Sequence, residues 1–345
     1  MNSDLSQDFI DWILAYLPVD NKLIEPLHVS PLIGDAGFRR YYRLNTQPSL
    51  IAVNSPPSKE KNQAYVDISL VFKAAGIRRP SLRAVDFSRG FLLLEDFGET
   101  LLQAVLTDKS VDYRYQQAES MLLTIQQLPA NPQVFAPYDL EVLSNELGLF
   151  EQWFVKELLG VEIDAAAQIM IKKLYSDLTC SALEQPKVIV HRDYHSRNLM
   201  ILEDDSIGVI DFQDAVEGPI TYDLVSLLKD CYVRWPMALV QERALNYKQR
   251  LDQLGLINKV NDQVFLRWFD LMGLQRHIKV MGIFSRLALR DGKVGYLNDL
   301  SLVVAYSLEI ANRYPETREF GDWFDQKIMP YLLKKNWYKD QGGPL

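Results

Sequence analysis

Apolar positions in the first hundred residues come in bursts too short for helices. "HVSPLI" (28–33) and "RYYRL" (40–44) flank the turn "GDAGF" (34–38), "SLIAV" (49–53) follows, and "SLRAV" (81–85) and "FLLLEDF" (91–97) are joined by "DFSRG". Bounded by Gly, Pro, Asp and Ser, these runs predict five short strands. Two stretches keep helical spacing instead. Phe9, Ile10, Ile13, Leu14 and Leu17 make one face of a leading helix over 5–17. Ala64, Ile68, Val71, Phe72 and Ala75 make another that stops at Gly76, a residue suited to the left-handed position after a helix. After the leading helix the order is β-β-β-α-β-β.

Beyond Gly98 the periodicity lengthens. Segments near 100–108, 113–128, 139–159 and 164–183 predict helices, and the chain is helical again from Asp223, with breaks at Pro236, around Gly255, at Gly292 and at Pro315. The strand-rich and helix-rich compositions meet just after "LLLEDFG". That junction predicts an α+β protein of two lobes, a small antiparallel-sheet lobe over 1–98 and a larger, mostly helical one over 99–345. No internal repeat or low-complexity linker interrupts it.

Composition narrows the function. With 48% hydrophobic and 24% charged residues the 345-residue chain is ordinary globular material, and its formal charge of −8 comes without a dense Lys/Arg run. Nucleic acid and anionic membranes are therefore not expected partners, and a phosphate-bearing ligand must be held locally. Cys180 and Cys231 lack metal-ligand spacing and read as two buried, reduced thiols. The N-terminus has no basic signal-type region, and no apolar run approaches the ~18 residues of a membrane span. A cytoplasmic protein follows.

The densest chemistry lies in "HRDYHSRNLM" (191–200) and "ILEDDSIGVIDFQD" (201–214). "KVIV" (187–190) is a β-branched run, so His191 opens a loop at a strand end. "LMIL" and "IGVI" around "EDDS" read as a hairpin, and pairing Leu202 with Ile207 places Asn198 opposite Asp211. Cross-strand neighbours have Cβ atoms about 4.5–5.5 Å apart, close enough for two oxygen ligands to share one hard cation. Asp193, five residues before Asn198, is the candidate general base, and Asn198 with Asp211 the candidate Mg²⁺ ligands. The pattern H-R-D-x-x-x-x-N, followed by an Asp after "GVI", is that of a kinase catalytic loop.

On these residues the chain resembles the protein-kinase-like superfamily and, within it, the aminoglycoside phosphotransferase family. It looks closer still to the bacterial anomeric kinases that act on N-acetylmuramate and N-acetylglucosamine. The stretches that carry the resemblance are "GDAGFRRYYRL" (34–44), "IAVNSPPSKE" (51–60), "FLLLEDFGETLL" (91–102), the catalytic loop, "GVIDFQDAVEGPITYDLVSLLKDCYVRWP" (208–236) and "QRHIKVMGIFSRL" (275–287). It implies a nucleotide-binding N-terminal lobe, and a C-terminal lobe with catalytic loop and acceptor site. It also implies ATP and Mg²⁺ dependence and an amino-sugar acceptor. The sugar 1-phosphate product would pass to a downstream nucleotidyltransferase in peptidoglycan recycling. A kinase of the same fold for another hydroxyl (aminoglycoside, choline or homoserine), or a nucleotide-binding pseudokinase, stays open at this point.

Individual roles follow from the same resemblance. Gly34 and Gly37 would bring backbone N–H groups to the ATP phosphates, and Glu95, Asp96 and Phe97 would form the hinge that meets adenine. Where kinases carry V-A-I-K, this chain has "IAVN", ending in Asn54, so Arg39 or Arg40 is expected to replace the lysine, with Glu60 as its orienting carboxylate; Arg43 and Lys59 are further cations in reach. His191 and Asp223 are expected to support the loop, Asp223 by capping a helix start. Tyr194, His195, Arg197, Arg234 and Trp235 are the expected acceptor contacts.

Overall fold

Short alternating runs and long amphipathic ones fold into separate compact units in the computed structural model, which describes residues 5–24, 26–32 and 37–340. The first unit comprises residues 1–121 and 197–215, the second residues 122–196 and 216–345. The first runs past Gly98, where composition changes, and takes in the hairpin that follows the catalytic loop.

In the first unit, helix α1 (Gln7–Tyr16) begins at Ser6, whose Oγ accepts the Phe9 N–H, and precedes strands β1 (Val29–Pro31), β2 (Arg40–Leu44) and β3 (Leu50–Asn54). Helix α2 (Asn62–Ala74) ends at Gly76 (φ 72°), and strands β4 (Leu82–Asp86) and β5 (Phe91–Glu95) complete an antiparallel sheet of order β1-β2-β3-β5-β4. Sheet parity sorts its side chains. Leu44, Leu50, Ala52, Phe91 and Leu93 pack under Phe9, Trp12 and Ile13 of α1. Fully burying such side chains stabilises by roughly 1.5–3 kcal/mol each. The opposite face carries Tyr41, Arg43, Ile51 and Leu94 toward a cavity. The hairpin strands Leu199–Ile201 and Ile207–Val209 belong to this unit, joined to it by a bridge between Leu101 and Met200.

The second unit is built on a 29-residue helix, Asp262–Arg290, capped by the Asn261 side chain, with Leu140–Leu149, Ala165–Leu183 and Leu300–Ala311 packed round it. Its core joins Leu147, Phe150, Phe154, Ile278, Met281 and Phe324. The segment read as one helix over 139–159 changes character at Phe150, where wider turns run to Leu158. Helices start or stop at Pro236, Gly255, Gly292 and Pro315 as the breaker residues predicted. Cys180 is exposed, contrary to the expectation of two buried thiols, because it falls on the outer face of Ala165–Leu183; Cys231 is buried. Among the described residues no helix is long and apolar enough to cross a membrane.

Candidate active site

The loop His191–Ser196 leaves strand Lys187–Val190, which pairs antiparallel with Val216–Pro219. Its shape is fixed from below. The carboxylate of Asp223, wholly buried, accepts the backbone N–H of His191 (2.6 Å) and of Arg192 (3.0 Å). Arg192 has φ 77°, a left-handed conformation that a branched-off side chain occupies only when its surroundings enforce it. His191, also buried, accepts the Asp193 N–H on Nδ1 at 3.3 Å. Ser196 donates its N–H (2.9 Å) and Oγ–H (2.5 Å) to Asp230 Oδ2. Asp193 itself is solvent-accessible, although protein surrounds it on its other sides. Desolvation by that protein raises its pKa, but the positive charges of Lys279, His195, Arg192 and Arg276 outweigh it and hold the carboxyl below its usual range. Burial has the upper hand at Asp223, pushed up to about 7 against the lowering effect of its two backbone hydrogen bonds.

In the first unit a cavity of about 460 Å³ opens between the sheet, the segment Glu95–Gly98 and the hairpin. The hinge side chains are committed elsewhere. Glu95 receives Arg78 (2.6 and 3.1 Å), and Asp96 receives Arg43 through Nε (2.6 Å) and Nη2 (3.2 Å) and the Ser49 hydroxyl (2.8 Å). Phe97 lies under the Arg78 guanidinium, 4.9 Å from ring centre to Cζ. Tyr41, Tyr65, Arg197, Asn198, Asp211 and Gln213 line the same cavity. Asp211 takes a left-handed backbone (φ 62°), which re-aims its carboxylate at the strand end; Gln213 Nε2 donates to it at 2.8 Å.

The hairpin register differs from the sequence arithmetic by one residue. Leu199 faces Val209 and Ile201 faces Ile207, because Leu202 N–H bonds the Ser206 carbonyl and shortens the turn by one residue, with Asp205 in it at φ 63°. Asn198 therefore stands opposite Ile210, whose N–H it accepts at 3.0 Å, and not opposite Asp211. The kink at Asp211, rather than cross-strand opposition, brings both residues onto one cavity wall.

Residues 28–256 match the model of the phosphotransferase enzyme family, well over half of the chain. The chain belongs to that family. It is 39% identical over 300 residues to an N-acetylmuramate/N-acetylglucosamine kinase of Pseudomonas aeruginosa, spanning 87% of this chain and 88% of that one. It is 34% identical over 288 residues to one of Neisseria meningitidis, spanning 82% and 85%. Among solved structures it resembles ADP-bound aminoglycoside phosphotransferase APH(2'')-Ib (TM-score 0.59, 13% identity, 89% of this chain and 99% of that one). It also resembles a Plasmodium vivax ethanolamine kinase (TM-score 0.60, 13% identity, 92% and 97%). The protein-kinase-like α+β fold is thereby shown for this phosphotransferase.

The remaining expected residues of the family member distribute unevenly. Gly34 lies outside the described residues. Gly37 and the exposed Arg40 sit beside the cavity-forming strands, Arg40 bonding back to the Gly37 and Arg39 carbonyls. Tyr194 and Trp235, read as acceptor contacts, are buried; Tyr194 packs edge-on against His191, so its ring braces the loop and has no face to offer a sugar. His195 meets Tyr232 edge-on, and Arg234 pairs with Glu309 at 3.6 Å. Arg197, also read as an acceptor contact, lines the cavity of the first unit and donates to Gln103 at 2.9 Å. Asp223 does not cap its own helix, Tyr222–Leu228, which starts at Thr221; its carboxylate is spent on the loop backbone. Sequence reasoning missed Asp230 and Tyr41, and it named Arg43 only as a cation in reach of the phosphates, not as the partner of Asp96. Asp230 had a usable signal, since it follows Asp223 by two helical turns in "DLVSLLKD". Arg43 and Asp96 are 53 positions apart, and no local pattern links them.

Proposed function

We propose that the chain is an ATP- and Mg²⁺-dependent cytoplasmic kinase that phosphorylates the anomeric hydroxyl of N-acetylmuramate and N-acetylglucosamine, giving the sugar 1-phosphate. The observation that carries this reading is the likeness to kinases named for those sugars, over nearly nine tenths of both chains. The cavity supports it. It joins a hinge-like segment, Glu95–Gly98, to two oxygen donors, Asn198 and Asp211.

Asn198 and Asp211 fit Mg²⁺. Both offer hard oxygen atoms on the cavity wall. Two protein donors are the number Mg²⁺ commonly takes beside phosphate and water oxygens. When bound, the ion neutralises charge on the transferring phosphoryl group. Asp193 accepts the proton of the anomeric hydroxyl as O1 bonds to the γ-phosphorus and the bond from phosphorus to the β,γ-bridging oxygen breaks, releasing ADP. A carboxylate held in its ionised form by surrounding cations is a weak base. It suits a hemiacetal hydroxyl, which is more acidic than other sugar hydroxyls. Asp223, His191 and Asp230 hold the loop that carries it. The product is a sugar 1-phosphate, the kind of compound a nucleotidyltransferase converts to a nucleotide sugar in peptidoglycan recycling.

The test is ADP release from ATP and Mg²⁺ with a panel of acceptors, the product identified by phosphorus NMR. Amino-sugar-dependent release with a 1-phosphate product is expected. Turnover only with choline, homoserine or an aminoglycoside would replace this reading by another kinase of the same fold, and ATP binding without turnover would make the chain a pseudokinase.

A further inference from the structure

The sequence departs from the kinase strand pattern at Asn54, and the sheet shows that this residue is on the wrong face to bear a phosphate-binding charge. Strand β3 pairs Ile51 with Arg43 and Leu94, Val53 with Tyr41 and Leu92, and Asn54 with Arg40 and Phe91. Tyr41, Arg43, Ile51 and Leu94 line the cavity, whereas Ala52, Phe91 and Leu93 lie in the core beneath α1. Side chains alternate along a strand, so Asn54 shares the α1 face and Ser55 shares the cavity face.

What stands at Ser55 is the arginine just before the neighbouring strand, β2. Arg39 precedes Tyr41 by two residues and donates through Nε to Ser55 Oγ at 3.2 Å. Its guanidinium lies behind the cavity wall, 5.7 Å from the ring centre of the lining residue Tyr65. Only 7% of Arg39 is exposed. Its charge is answered by Glu60, whose Oε2 is 3.5 Å from Nη2 while Oε1 accepts the Phe38 N–H at 2.7 Å. Among the described residues the buried Nη2 has no hydrogen bond. A buried guanidinium with an unfilled donor is costly unless something completes it. Other arginines of the strand are not in this state. Arg40 is exposed, and Arg43 is committed to Asp96, Glu99 and the Gly98 carbonyl.

We propose that Arg39, oriented by Glu60 and Ser55, is the cation that receives the phosphate oxygens of the nucleotide, in place of a lysine on β3. The inference rests on the reading of this cavity as a nucleotide site. A planar guanidinium offers two parallel donors to a phosphate where lysine offers a point charge. Glu60 is a positioning residue, since it acts through Arg39.

Isothermal titration of the full chain with ATP, ADP and adenosine tests it, using the parent, Arg39→Gln, Arg39→Lys and Arg40→Gln. Arg39→Gln should weaken ATP and ADP at least about tenfold, about 1.4 kcal/mol, and leave adenosine within about twofold. Arg39→Lys should fall between parent and Arg39→Gln, and Arg40→Gln should match the parent. Adenosine binding doubles as a check that each variant has kept its fold. The proposal is overturned if Arg39→Gln binds ATP as the parent does, if it loses adenosine as severely as ATP, or if Arg40→Gln loses as much. A parent that binds neither ATP nor adenosine would remove the nucleotide-site reading itself, and this proposal with it.

Discussion

Gly208, in the middle of the hairpin strand Ile207–Val209, sits against the cavity-lining Phe97, and Gly208→Ala is expected to damage nucleobase binding without touching the acceptor. A Cβ built there would stand 2.9 Å from Phe97 Cδ2 and closer still to Cε2. Carbon atoms rest about 3.5–4.0 Å apart, so the ring must retreat by on the order of 1 Å. It has little room. Arg78 covers it, held in turn by two bonds to Glu95, and the Arg78 carbonyl accepts the Val209 N–H at 2.8 Å. Overpacking of this kind costs about 1–3 kcal/mol, with roughly 0.5–1 kcal/mol more where the cation–ring contact opens. A melting temperature lower by several degrees is expected, with adenosine and ATP both weakened about tenfold because the fault lies at the base and not at the phosphates. Differential scanning fluorimetry and isothermal titration measure these quantities. Shortening the ring in the double variant Gly208→Ala/Phe97→Leu should recover stability relative to Gly208→Ala alone. Parent-like melting and adenosine affinity in Gly208→Ala would refute the packing argument.

Asp193→Asn should lower turnover about 10²–10⁴-fold, the usual worth of a general base, with ATP affinity by titration unchanged; near-normal turnover would remove the assignment. Asp211→Ala should abolish Mg²⁺-supported turnover and the Mg²⁺ dependence of ATP binding, whereas Asp211→Asn, which tolerates the left-handed backbone, should melt closer to the parent. Equal Mg²⁺ dependence in parent and Asp211→Ala would show that its carboxylate holds no metal. Asp223 keeps its proton in the folded chain up to about pH 7, while an unfolded Asp releases it near pH 4. The fold binds more protons across that window, so this group's contribution is full below pH 4 and is lost as pH rises through 7. Urea unfolding at a series of pH values should show the stability of the parent relative to Asp223→Asn falling over that range, and a difference that grows with pH would contradict it.

Long helices were legible because a buried face repeats every three or four residues, and Gly76, Pro236, Gly255, Gly292 and Pro315 punctuate them with conformations that other residues resist. The loop His191–Ser196 stood out for a different reason: its residue types recur at a spacing that kinase chemistry would require. What escaped was geometry decided at a distance. The one-residue register shift at Asn198 depends on how Asp205 closes a turn, and an apolar run of four on each side fits either register. Asn54 stood in the lysine's place only by a pattern of letters; the pairing with Phe91, on the face that α1 covers, turns it away from the cavity. Tyr194 and Trp235 looked like sugar contacts because an aromatic beside a catalytic residue is equally good core material, and burial alone tells the two apart.

The chain passes between its two compact units three times, after residues 121, 196 and 215. Its first unit is therefore unfinished when its first 121 residues leave the ribosome. Asn198, Met200, Ile210, Asp211 and Gln213, one whole side of the cavity, are still unmade. Synthesis at ~5–20 residues per second leaves that wall missing for several seconds more. A nascent chain consequently has no finished cavity, the proposed nucleotide site, until the loop His191–Ser196 has been made, and a gene cut at the end of the first segment would encode a sheet without that wall. The path of the polypeptide thus makes this wall one of the last parts of the first unit to be completed.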